Sequence, residues 1–145
     1  MNMRTAAAVL LLASFAAVPA SSADSSSLEV VPNGYRGMAV SLPGDQAAFV
    51  KKGDRVDVMV TFDAKLKGQE KEKVTATILQ NVLVFDVIKP AKLEDKGVID
   101  LILNPNESQY LALGLWQGSI QISVRGPGDK EMHPMEMASF RKLFQ

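Results

Sequence analysis

Between Arg55 and Phe62 every second residue is large and apolar: Val56, Val58, Val60 and Phe62 alternate with Arg55, Asp57, Met59 and Thr61. Successive side chains of a strand point to opposite faces, so a period of two predicts a strand with one buried face. Lys52-Gly53-Asp54 launches it as a tight turn. Gly53 supplies a permissive backbone, and the Asp54 carboxylate is placed to bond neighbouring amides in an Asx-type turn. A chain that opens this way needs further strands to cover the valine face.

Those strands are legible on both sides. Met38, Val40 and Leu42 alternate with Ala39 and Ser41 until Pro43-Gly44-Asp45 ends the run, and residues 46–50 lead into the turn. A brief first strand is expected at Leu28-Glu29-Val30-Val31. Val74 to Ile88 is β-type but too long for one flat strand, and Gln80-Asn81 interrupts it. A bulge there would re-aim the strand, with apolar residues of both parities following it. Val98 to Leu103 reads as a further strand, and Ile120, Ile122 and Val124 mark the cleanest half-buried one. Ala64 to Lys73 and Lys89 to Gly97 read as polar connections, the first a solvated hairpin loop.

Two helices are expected. Asn104-Pro105-Asn106-Glu107 combines an N-cap asparagine, proline at the first helical position and a glutamate three residues after the cap. The helix would run over 108–116, with Tyr110, Leu111, Leu115 and Trp116 as its apolar stripe and Gly118 as its stop. Gly114 inside it costs about 1 kcal/mol relative to alanine, which points to close packing against a strand. Met137, Phe140 and Phe144 fall at helical spacing, so a short C-terminal amphipathic helix covering the open end is expected. The pattern as a whole predicts a mainly β fold: a small, partly open β-barrel of five to seven strands with one short helix before the last strand. The β domain is placed at 28–128 and the tail at 129–145.

Arg4 followed by an apolar run from Thr5 to Ala17 and small-residue sites ending at Ala20 and Ala23 reads as a signal peptide over 1–23, with a linker at 24–27. The apolar run is shorter than the roughly 20 residues a membrane-spanning helix needs. The mature chain is therefore expected to be exported and soluble. Net charge is zero, with no basic cluster outside the mixed run Lys65 to Lys73, which argues against nucleic acid as the main partner. There is no cysteine, so thiolate metal sites and thiol redox chemistry are excluded.

Catalytic groups are thin. The single histidine, His133, lies beside Pro134 in the tail, away from a packed cleft. Asp54 and Asp57, three apart on an extended chain, point to opposite faces and form no carboxylate pair. Asp57 shares a face with Arg55 and is expected to pair with it. No enzyme activity, catalytic residue, metal or cofactor is expected. Arg55, Asp57, Gln80 and Asn81, polar groups at the turn and bend, are candidates for partner contact, as are Phe140 and Phe144 in the tail. Trp116 reads as a core anchor at the helix end; with Tyr35 it is the alternative candidate for stacking on a cell-wall glycan.

Four blocks then align with one family. Ala39-Val40-Ser41-Leu42-Pro43, Phe49-Val50-Lys51-Lys52-Gly53-Asp54-Arg55-Val56-Asp57-Val58, Thr77-Ile78-Leu79-Gln80-Asn81-Val82-Leu83-Val84 and Leu103-Asn104-Pro105-Asn106-Glu107 occur in order, followed by Gly118 to Arg125. In this the chain resembles the C-terminal domain of the CpaB/RcpC family of Flp (Tad-type) pilus assembly proteins, without the usual upstream SAF domain. Lys52 stands where the family prefers proline, and the stretch from Pro43 to Phe49 is shorter than usual. The resemblance implies a periplasmic, non-enzymatic assembly factor. Its partners would be the outer-membrane secretin and other pilus-assembly proteins, with peptidoglycan contact as a further expectation. A glycan-binding module is the alternative.

Overall fold

The structure, a computed structural model, describes residues 30–65 and 70–144. The expected signal peptide, the linker and the first two residues of the expected strand at 28–31 lie outside the described residues. Val30 and Val31 form no strand. The described chain runs β1 (Arg36–Pro43), α1 (Gly44–Phe49), β2 (Arg55–Lys65), β3 (Lys71–Ile88), β4 (Lys96–Leu103), α2 (Pro105–Gln117), β5 (Ser119–Val124) and β6 (Ala138–Ser139), then a 3-10 turn at Phe140–Phe144. The fold is mainly β, as the alternation predicts. One antiparallel sheet is ordered β1-β4-β3-β2-β5, with β6 paired to β3.

The valine face of β2 behaves as expected: Val56, Val58 and Val60 are buried. Val56 and Val58 join Val40 and Leu42 of β1, Val82 and Val84 of β3, Ile99, Leu101 and Leu103 of β4, and Leu111 of α2 in one core cluster. Burying one such side chain stabilises a fold by about 1.5–3 kcal/mol, so this cluster is the main source of stability. The turn before β2 also forms as read. Gly53 has φ +88°, and Asp54 Oδ2 accepts from the Lys51 amide at 2.8 Å.

The expected barrel does not close by strand pairing. Among the described residues β1 and β5 are the two ends of the sheet path, and α1, which the sequence reading left as a connection, bridges them. Ala47 of α1 is buried, and it packs so closely on Gly97 of β4 that a Cβ at Gly97 would stand 2.3 Å from its own. On the other side Gln46 Oε1 accepts from the Ile122 amide of β5 at 3.3 Å. This helix has no side-chain N-cap. Six residues are too few to hold a helix on their own. Its C-terminal carbonyls are collected instead by Lys89, whose Nζ donates to Ala47 O (3.0 Å), Ala48 O (2.6 Å) and Val50 O.

Helix α2 starts where the capping signals put it. Asn104 Oδ1 accepts from the amides of Asn106 and Glu107, both at 2.9 Å, and Glu107 Oε2 accepts from the Asn104 amide at 2.7 Å. Gly114 also packs as expected, an ideal Cβ falling 2.7 Å from Ile78 Cδ1. The expected apolar stripe is corrected: Leu111 is buried, whereas Tyr110, Leu115 and Trp116 are exposed. With glycine at 114 the helix sits low on the sheet and needs one leucine to fill the space. The expected loop at 64–73 shortens, because β2 and β3 continue to Lys65 and from Lys71. Asp63 forms ion pairs there with Lys73 (3.1 Å) and Lys71 (3.6 Å), and the Lys73 hydrogen bond holds its carboxyl below the usual range.

Candidate protein-contact surface

The bend of β3 is where the polar candidates meet. Val56 pairs with Val82 and Val58 with Leu79, so Gln80 and Asn81 together oppose Asp57. That two-against-one count is a β-bulge, at the pair the sequence marks. Asn81 takes φ +58°, a left-handed conformation that asparagine tolerates better than most residues. Its amide is received by Asp57 Oδ1 at 2.9 Å, and its carbonyl accepts from Arg55 Nη1 at 2.9 Å. Asn81 Oδ1 is buried without a hydrogen-bond partner among the described residues.

Asp57 does not pair with Arg55. Its ionic partner is Arg125, at 3.2 Å, because Arg55 turns to the bulge carbonyl while the chain just after β5 brings Arg125 alongside. Arg125 was not singled out by sequence reasoning. Its side chain is only 4% exposed, and it spends every nitrogen: Nε and Nη2 bind Asp129 at 3.2 and 2.9 Å, and Nη2 also donates to Glu131 O. The hydrogen bond to Asp129 raises the guanidinium further above its ordinary value. Reciprocally, Arg125 holds the Asp129 carboxyl below the usual range. The available signal was the arginine directly after the last alternating strand, followed by Gly126-Pro127-Gly128-Asp129.

From that clamp the tail runs back along the free edge of β3. Gln80 grips its backbone twice, Nε2 donating to His133 O at 2.8 Å and Oε1 accepting from His133 N at 3.0 Å. Ser139 and Ala138 of β6 then pair with Val74 and Thr75. The tail therefore covers a strand edge rather than the open end of a barrel, and its expected helix is a single 3-10 turn. Phe140 and Phe144 pack edge to face at 5.1 Å, both exposed. Arg55, Asp57 and Asn81 thus sit in one hydrogen-bond system and Gln80 is spent on the tail backbone, while the two phenylalanines take part in neither.

Trp116, expected to anchor the core, is 82% exposed, and Tyr35 is 49% exposed. They share no site. Tyr35 directly precedes β1, and Trp116 is the penultimate residue of α2. An apolar concavity of about 270 Å³ lies between α2 and the sheet, lined by Val60, Phe62, Ile78, Tyr110 and Leu113 among others. Among the described residues no three of histidine, aspartate and glutamate gather as a metal site would require. No helix there is long and apolar enough to cross a membrane.

The described residues form a small β domain, an open six-stranded antiparallel sheet carrying two helices. The model of the Flp pilus assembly protein RcpC/CpaB family matches residues 27–125, from just before the described chain to Arg125. The chain belongs to this family, and its role lies in Flp pilus assembly. Neither the curated proteins nor the solved structures give a significant match.

Proposed function

We propose that the chain is a non-enzymatic, periplasmic assembly factor of a Flp/Tad-type pilus or a related secretion system, acting by protein contact with the outer-membrane secretin or its neighbours. The observation that carries this reading is the family match across residues 27–125. The site chemistry supports it. Arg55, Asp57, Asn81 and Arg125 are linked by hydrogen bonds at the bulge and Gln80 holds the tail backbone, so these groups shape the surface. Exposed apolar groups, Phe140 and Phe144 first, make the contact. The test is fractionation followed by native extraction and affinity purification of the chain from cells that build the pilus. Recovery in the periplasmic fraction with the secretin is expected, and Phe140→Ser with Phe144→Ser should reduce that recovery. Absence of the secretin and of every other assembly protein from the eluate would sink the proposal.

The exposure of Tyr35 and Trp116 favours a second reading, a cell-wall glycan-binding module, with each ring acting singly. Sedimentation with purified peptidoglycan separates the two readings: under the second, the chain pellets and Trp116→Ala stays in solution.

A further inference from the structure

The tail contains a concentration of soft donor atoms that neither the fold nor the assembly role uses. Of the five methionines after residue 23, three fall within Met132-His133-Pro134-Met135-Glu136-Met137. Methionine is ordinarily a filler of apolar interiors. Here Met132, Met135 and Met137 are 64%, 54% and 39% exposed, and the His133 side chain is 60% exposed. Met132, Met135 and the imidazole are more than half exposed, so packing alone does not account for this run of donors.

The backbone around them is held while the side chains are free. Upstream, Asp129 and the Glu131 carbonyl are fastened to Arg125. In the middle, both backbone groups of His133 are taken by Gln80, and its imidazole Nε2 lies 3.7 Å from Glu131 Oε2. Downstream, Ala138 and Ser139 are paired into the sheet. Between these anchors residues 131–137 form no helix, turn or bend. Alternate residues of even a fully extended chain stand no more than about 7 Å apart. Met135 lies midway between His133 and Met137, so three flexible side chains need only lean inward to share one ion. Preorganised backbone lowers the entropic cost of that closure.

Donor chemistry selects the ion. Thioether sulfur is a soft ligand that favours copper(I), imidazole is acceptable to it, and neither calcium nor magnesium takes sulfur. The chain has no cysteine to compete for it. We propose that His133, Met135 and Met137, with Met132 adjacent, form a binding site for a soft monovalent metal ion, copper(I) or its redox-stable analogue silver(I). Binding involves no electron transfer: the ion enters as the monovalent cation, and the donors replace the water or chelator it carried.

The test is titration of the purified chain, labelled with ¹³C at the methionine methyl groups, with silver(I). The methyl signals of Met132, Met135 and Met137 should move and saturate at one equivalent, while those of Met38 and Met59, half-buried in β1 and β2, stay in place. Competition against a copper(I) chelator should give the same stoichiometry for copper(I). Met135→Leu with Met137→Leu, which keeps side-chain volume at exposed positions, should weaken binding by roughly 100-fold with unchanged thermal unfolding. His133→Ala should weaken it by roughly tenfold while leaving the Gln80 backbone bonds intact. Tail methyl signals that do not move, a double variant that binds silver(I) as tightly as the parent, or an equal response to zinc(II) would each overturn the proposal.

Discussion

The two helices of this domain reach the same kind of stability by opposite routes. Helix α2 carries its own start: Asn104 and Glu107 close a reciprocal capping box around Pro105, all within four consecutive residues. Helix α1 has no side-chain N-cap, and its carbonyls are gathered by Lys89 from some forty positions downstream. One helix is specified by neighbours in sequence, the other by neighbours in space. The glycines beneath them differ in the same way. Gly114 faces the movable tip of Ile78, whereas Gly97 faces the Cβ of Ala47 and the backbone carbonyl of Ile88.

Substitutions break the comparison at its largest effect first. Gly97→Ala should cost about 2–3 kcal/mol, because neither Ala47 nor the backbone has a rotamer to yield. Gly114→Ala should stay within about 1 kcal/mol of the parent, the Ile78 tip moving aside and the gain in helix propensity offsetting the strain. Denaturant midpoints at equal m-value would measure both. Equal losses at the two sites would remove the distinction.

Next in size is Lys89→Met, which keeps the stem and deletes the ammonium that serves three carbonyls; a loss of about 1–2 kcal/mol is expected. Amide exchange should place its effect on the backbone of 44–50 while leaving α2 protected. Asn104→Ala should cost about 1 kcal/mol and fray α2 from its first turn with α1 untouched. Crossed effects in the exchange maps would show that the helices are not independently secured.

The smallest effect concerns the tail, where the charged clamp of Arg125 on Asp129 acts beside the Gln80 bonds and the β6 pairing. Arg125 depresses the Asp129 carboxyl in the folded state. The stability it lends is therefore present above the ordinary aspartate value and is lost as pH falls through the depressed one. Limited proteolysis of residues 126–137 should accelerate on acidification below the usual carboxylate range. The sheet should remain intact, and Asp129→Asn should show the fast rate at neutral pH. An acid-insensitive tail would mean that the Gln80 and β6 bonds suffice to hold it.

Much of this molecule can be read along the chain because its signals are local. Alternation from Val56 to Phe62 determines a strand and its buried face, since the period of side-chain direction is set by the backbone. The bulge at Gln80-Asn81, the turn at Gly53 and the start of α2 follow in the same way, each from residues within a few positions of one another. The family was legible too, because its blocks coincide with these turns and caps.

What the tertiary structure alone decided is everything carried by contacts between distant residues. The ion partner of Asp57 is Arg125 and not Arg55, because the sheet sets the end of β5 beside β2. Trp116 lies in solvent, because Gly114 lets α2 settle on the sheet through Leu111. The sheet stays open, with α1 across its gap, because a lysine from beyond β3 completes a helix that its own six residues could not sustain. Local geometry is encoded by neighbours, whereas the choice of which exposed groups find partners depends on where the whole chain returns.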